Sequence, residues 1–194
     1  MTAVYDQRMK TSFVTLTVPD TFTTPRLYLR RPQQSDAPAV FEYGSDPEVA
    51  RYMDWPALVD LQDAIKATER AVRRWESGEE YAWRLTVRPN DTPVGGVACS
   101  IEGHRAGLGF VLSRHHWGKG YATEAARAVF DWLVSLETVQ RIQATCDVDN
   151  RASIRVLEKL AMSREALLRR WAVRPNLPGR PVRDAFSYSW VRAA

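Results

Sequence analysis

Hydrophobic and polar positions alternate with two different periods along this chain, and the two periods separate strands from helices. Arg26-Leu27-Tyr28-Leu29-Arg30 alternates every second residue, as a half-buried strand does. Ser35 and Asp36 offer an N-cap to a helix carrying Ala39, Val40, Phe41 and Tyr43 that stops at Gly44. Asp46-Pro47 restarts a short helical turn through Val49, Tyr52 and Met53, which Trp55-Pro56 breaks. Ile65, Thr68, Ala71, Val72 and Trp75 recur at three- and four-residue spacing and predict a helix from Asp60 or Leu61 to Ser77, with Gly78 past its end. Tyr81–Val87, Val94–Ile101 and a run ending at Leu112 read as strands joined by the turns Pro89-Asn90-Asp91 and Glu102-Gly103-His104-Arg105. Ala122, Ala125, Ala126, Val129, Leu133 and Leu136 return to the helical period. Gln140–Val148 is a further strand, and Asn150-Arg151-Ala152-Ser153 opens a helix with Ile154, Leu157 and Leu160 on one face. Ala166–Ala172 and Val182–Val191 are closing strands across a Pro-rich loop. Ser12–Val18 also alternates and is expected as an extra edge strand, preceded by a loose polar segment of about ten residues. The succession describes one mixed α/β (α+β) domain over residues 1–194, with no linker and no internal repeat.

Composition narrows this picture a little. A chain of 194 residues that is 45% hydrophobic can bury a proper core. The net charge of +4 is the small excess of 27 basic over 23 acidic residues, and the basic residues are biased toward the last third yet dispersed, which suits an anionic small molecule and does not argue for a nucleic acid. Cys99 and Cys146 cannot build a disulfide framework and lack metal-ligand spacing, so no metal is expected. No apolar stretch follows Asp6, Arg8 and Lys10, and no run is long enough to span a bilayer. The expectation is a reduced, cytoplasmic enzyme or binding protein, away from membranes.

The chemistry concentrates in Trp117-Gly118-Lys119-Gly120-Tyr121-Ala122-Thr123-Glu124-Ala125, which joins the strand run Gly107–Leu112 to a helix. Glycines let a backbone approach a ligand, and the first turn of a helix offers unpaired N–H groups and partial positive charge. The backbone N–H groups of Gly118 to Thr123 therefore form a cradle for phosphate. A P-loop is excluded because Tyr121, and not Lys-Ser or Lys-Thr, follows the last glycine. A dinucleotide fold is excluded because the glycines follow a meander of strands.

This loop, together with the order of elements, resembles the GNAT superfamily of acetyl-coenzyme A-dependent N-acetyltransferases, in its RimJ/RimL-type branch. Thr24-Pro25-Arg26-Leu27-Tyr28-Leu29-Arg30 is similar to that branch's opening strand, and Asp46-Pro47-Glu48-Val49 with Arg51-Tyr52 to its helical insert. Pro93-Val94-Gly95-Gly96, the loop itself, Asn150–Leu160 and Arg183-Asp184 with Tyr188-Ser189 extend the match over nearly the whole chain. The loop departs from the superfamily at its start, where Gln or Arg usually stands in place of Trp117. The helix after Asn150 ends in Ala161-Met162 in place of Gly-Phe, so a different helix exit is expected there.

The resemblance implies a mostly antiparallel central sheet flanked by about four helices, acetyl-coenzyme A as cosubstrate, and a primary amine as acceptor. It implies that the cofactor lies along Phe110-Val111-Leu112, with its pantetheine arm paired to the main chains of Phe110 and Leu112. A main-chain N–H near Leu112 would polarise the thioester carbonyl. The pyrophosphate would sit on Trp117, Gly118, Lys119, Gly120, Tyr121, Ala122 and Thr123, and Asn150 would bind pantetheine amides. The Tyr that some members use to protonate the leaving thiolate is Leu157 here, so Ser153 is the implied donor, as in RimL-like members. For the base, Thr145 stands where some branches carry Glu; Glu102 and Asp147 are the carboxylates to test, and water is an equal alternative.

Plainer roles stand beside these. Asn150 and Ser153 suit helix capping as well as cofactor contact, and Cys146 suits a buried core position. Arg114, Lys119 and Lys159 suit phosphate contacts or a basic face, and His115 and His116 suit the surface. Trp55, Trp75 and Trp83 suit the core or the acceptor wall. The acceptor is a protein N-terminal α-amine or a small-molecule amine, with polyamines disfavoured by the mixed charges of the insert. Monomer and homodimer remain open, and a non-catalytic acyl-coenzyme A sensor is the alternative function.

Overall fold

A computed structural model describes residues 16–193. The loose segment at the start and most of the expected Ser12–Val18 strand lie outside them, and Leu16, Thr17 and Val18 are not in a strand. The edge strand forms further on, as β1 (Thr21–Thr23), antiparallel to β2 (Leu27–Arg30). Pro19 separates it from the expected stretch; its carbonyl accepts the indole N–H of Trp83 at 2.9 Å, which ties the chain to the core before β1 begins.

The remaining elements follow the expected order. They are α1 (Ala37–Gly44), α2 (Pro47–Ala50), α3 (Leu61–Ser77), β3 (Tyr81–Val87), β4 (Pro93–Glu102), β5 (Arg105–Leu112), α4 (Tyr121–Ser135), β6 (Arg141–Asp147), α5 (Arg151–Lys159), β7 (Ser163–Val173) and β8 (Val182–Val191). Asp36 is buried before α1, and it does not cap that helix. Its carboxylate is taken by the Arg30 guanidinium at 2.7 and 3.0 Å and by the Gln33 N–H.

The strands form one sheet in the order β1-β2-β3-β4-β5-β6-β8-β7. Every neighbouring pair is antiparallel except β5 and β6. That parallel pair is brief, matching Arg105, Ala106 and Gly107 with Arg141, Ile142 and Gln143. Beyond it β5 keeps β4 as partner and β6 keeps β8, so the sheet splits between two parallel strands.

Two helical layers cover the sheet. On one face α4 lies across β2, β4 and β5, and α5 lies on β6. Ala125, Ala126, Val129 and Leu133 pack there against Leu27, Leu29, Leu85, Val97, Leu108 and Leu112, and the alanines let the helix come close. Trp83 is fully buried in this core, with the rings of Phe22, Trp75 and Trp132 edge-on to it at 5.0 to 5.8 Å. On the other face α1, α2 and α3 form a smaller cluster with Leu58 and Val111, while Gln143 and Thr145 on β6 stay exposed.

Candidate active site

Hydrogen bonding along β5 decides what faces the split. Ser113 N–H donates to the Val94 carbonyl at 2.7 Å, opposite the end of β5. Main-chain groups alternate sides along a strand, so the N–H and C=O of Phe110 and Leu112 point away from β4. They point toward β6 at a level where the pairing of β5 with β6 has ended. An extended ligand with its own amides fits that edge as an added strand would.

The cradle lies directly beyond. Gly118 and Gly120 take left-handed conformations, φ 74° and 80°, which a side chain would strain. Among the described residues no partner accepts the N–H groups of Gly118, Lys119, Gly120, Tyr121, Ala122 or Thr123, and the first helical bond runs from Glu124 N–H to the Gly120 carbonyl. Unpaired donors converging on a helix N-terminus fit a pyrophosphate without help from any particular side chain.

Residues of the β1–β2 turn hold this loop in place. Glu124, in the first turn of α4, accepts from the Thr24 hydroxyl at 2.6 Å and from the Arg26 N–H and Nε at 3.1 and 2.7 Å. Arg26 also donates to the Lys119 carbonyl at 2.9 Å and lies over the Tyr121 ring. Burial pushes the Glu124 carboxyl up, but the Thr24 and Arg26 hydrogen bonds and the guanidinium charge outweigh that and hold it below its ordinary value. Sequence reasoning missed this clamp. Its trace was Thr24-Pro25-Arg26, read only as the start of a strand.

The second corner is the exit of β6. A tight turn, closed by Asn150 N–H to the Asp147 carbonyl at 2.9 Å, leads straight into α5. The Asn150 carboxamide oxygen accepts from the Ser153 N–H at 3.1 Å, so Asn150 caps the helix, and both residues are half-buried. Both α4 and α5 thus begin at the C-terminal ends of adjacent parallel strands and open on the same gap.

The other expected residues are distributed differently. Glu102 is exposed in the β4–β5 hairpin, at the closed end of the split. β5 is 8 residues long, so the hairpin stands about 23 Å from Leu112, out of reach of chemistry there. Asp147 is at the right end but fully enclosed. Arg183 holds its two carboxylate oxygens at 3.0 and 3.1 Å, and Arg174 adds a contact at 3.3 Å. Burial raises its pKa, while the Arg183 bonds, the Asp149 N–H and Arg174 outweigh that and lower it, which leaves an ion-pair anchor with little basicity. Arg114 is spent on Asp46 at 2.9 Å. Trp117 is nearly half exposed, and its Nε1 donates to the Leu112 carbonyl at 2.7 Å.

Cys146 is buried in the core layer, and burial pushes its thiol up to about 11. Trp75 and Trp83 are core; Trp55 is half-buried in the loop after α2. His115 is exposed, whereas the half-buried His116 has a buried Nδ1 with no partner. Both histidines line a cavity of about 400 Å³ with Glu42, Tyr43, Asn90, Thr92 and Val94, on the β4 side of β5 and so apart from the gap. No cluster of three potential metal ligands occurs among the described residues, and no described helix is long and apolar enough to cross a membrane.

A sheet split between parallel strands, with a phosphate cradle at one lip and a capped helix at the other, defines an acetyltransferase fold. The acetyltransferase (GNAT) domain family matches residues 26–163, and the chain belongs to that family, whose donor is acetyl-coenzyme A. It is 32% identical over 153 residues to the uncharacterized N-acetyltransferase p20 of Bacillus licheniformis, covering 77% of this chain and 86% of the relative. Among solved structures, it is similar to the microcin self-immunity acetyltransferase MccE in complex with acetyl-CoA and AMP, with TM-score 0.79, 19% identity, and 90% and 98% of the two chains covered. It is likewise similar to the ribosomal-protein α-N-acetyltransferase RimL in complex with coenzyme A, with TM-score 0.76, 19% identity, and 87% and 95% covered.

Proposed function

We propose that this protein transfers the acetyl group of acetyl-coenzyme A to a primary amine by direct attack, within the RimJ/RimL-type branch. The observation that carries this reading is two sets of main-chain groups, those of Phe110 with the Leu112 N–H on the free edge of β5 and the unpaired N–H groups of Gly118 to Thr123, which suit first an extended amide-bearing arm and then a pyrophosphate. The Leu112 N–H polarises the thioester carbonyl and stabilises the oxyanion, a donor whose loss costs about 3 kcal/mol in such sites. The neutral amine attacks the carbonyl carbon, the C–S bond breaks, and the thiolate takes a proton from the Ser153 hydroxyl, which regains one through water from the proton that the acylated nitrogen loses. With Glu102 remote and Asp147 engaged by arginines, the ammonium proton leaves through water. Two free, buried cysteines are in keeping with a reducing compartment.

The acceptor binds on the α1–α3 side, between the loop after α2 and the β7–β8 loop. RimL, by its name, acts on a protein α-amine, and MccE, by its name, serves self immunity to microcin C7; either acceptor type, a polypeptide N-terminus or a small-molecule amine, suits a gap open on that side. Thiol release from acetyl-coenzyme A, measured against a panel of amines and short peptides, tests the reading. Turnover with at least one acceptor is expected. Tight cofactor binding with no turnover would instead support a sensor. Ser153→Ala is expected to slow turnover at least tenfold with cofactor affinity unchanged, and an unchanged rate removes Ser153 from the mechanism.

A further inference from the structure

An indole nearly half exposed to solvent contributes little through burial, so Trp117 is not explained by packing. Its position is set by the turn that it ends. His116 N–H donates to the Ser113 carbonyl at 3.0 Å and Trp117 N–H to the Arg114 carbonyl at 3.1 Å. Arg114 is in turn paired with Asp46 at the start of α2. The side chain folds back onto β5, where its single polar atom donates to the Leu112 carbonyl at 2.7 Å.

That carbonyl lies on the same strand edge as the Leu112 N–H. Left free, it would set an acceptor lone pair beside the donor, facing the place where the acyl oxygen gains negative charge. The indole removes that competing group and holds the last residue of β5. On the opposite edge Gly95 brings β4 so close that a Cβ there would stand 2.3 Å from the Val111 carbonyl. The end of β5 is gripped from both edges.

We infer that Trp117 is a positioning residue for acyl transfer: it occupies the Leu112 carbonyl and leaves the Leu112 N–H as that residue's one free polar group toward the gap. This inference rests on the reading of that N–H as the oxyanion donor. It also accounts for an indole where Gln or Arg is usual in the superfamily.

Two matched variants test it. Trp117→Phe keeps an aromatic ring and removes the N–H. Trp117→His places its Nε2 at the ring position of the indole Nε1 and so keeps a donor. With an acceptor from the amine panel, Trp117→Phe is expected to lower kcat about fivefold, the weight of one neutral hydrogen bond. The coenzyme A dissociation constant, measured by calorimetry, is expected to change less than twofold. Trp117→His is expected to recover most of the lost kcat, and the Leu112 amide signal in ¹⁵N spectra of the coenzyme A complex is expected to move in the Phe variant and return in the His variant. An unchanged kcat in Trp117→Phe, a loss explained wholly by weaker cofactor binding, or equal losses in both variants would overturn the inference. Wild-type protein that binds coenzyme A and turns over no amine defeats the transferase reading and this role together; wild-type turnover matched by Trp117→Phe defeats this role alone.

Discussion

Asp147 shows how a residue's neighbours decide its role. As the last residue of a strand that ends at the gap, a carboxylate there suits a base, yet Arg174, just past β7, and Arg183 on β8 enclose it. Asp147→Asn leaves Arg174 buried without its counter-ion and is expected to cost about 3 kcal/mol in urea denaturation, as breaking a buried pair does. The pKa of Asp147 is depressed in the fold, so its stabilisation is present above the usual carboxylate range and is lost as pH falls through the folded value. Acid titration of wild type and variant is expected to converge below that point and to separate above it. The cysteines illustrate the same rule. Burial pushes Cys99 to about 12 and Cys146 to about 11, so native protein is expected to be nearly silent to a thiol reagent at pH 8 and to show both thiols when unfolded. The buried place of Cys146 was legible in the sequence, whereas the enclosure of Asp147 was not, because it is made by residues distant along the chain.

Elements were far more legible, since helix and strand periods are local. α3, β3 and the start of α4 form where their apolar spacing and caps indicate. The exit of α5 is a correction. Ala161 adopts the left-handed exit that its side chain disfavours, φ 60°, with Met162 N–H bonded to the Leu157 carbonyl at 3.2 Å. Burial of Leu157, Leu160 and Met162 against the core outweighs the local strain. Ala161→Gly is therefore expected to stabilise the protein by about 1 kcal/mol, seen as a higher urea midpoint with an unchanged slope. At the cradle the element alone is insufficient, because the N-terminus of α4 is held by the β1–β2 turn. Glu124→Ala is expected to weaken coenzyme A binding about tenfold by calorimetry, since it frees Arg26 and Thr24 from their charge-assisted bonds.

On the scale of the whole molecule, one side chain links the two segments proposed to receive the acceptor. Asn176, in the β7–β8 loop, donates to the Ala50 and Trp55 carbonyls at 2.7 and 2.9 Å and accepts from the Ala57 N–H at 2.7 Å. The loop after α2 and the β7–β8 loop are thus fastened together although more than a hundred residues separate them. Asn176→Ala is expected to raise the acceptor KM several-fold while the KM for acetyl-coenzyme A stays unchanged. A parallel rise in both would assign the strut to general stability.

The sequence by itself determined the order of elements, the phosphate cradle and the family, because periodicity, glycine conformation and helix-end donors are properties of neighbouring residues. Tertiary structure alone decided which strand edge lies unpaired, that Glu124 is clamped from the β1–β2 turn, that Asp147 is neutralised and Glu102 remote, and that Trp117 turns back on Leu112. Those outcomes depend on strand register and on contacts between segments far apart in the chain, where electrostatics and hydrogen bonding act through space.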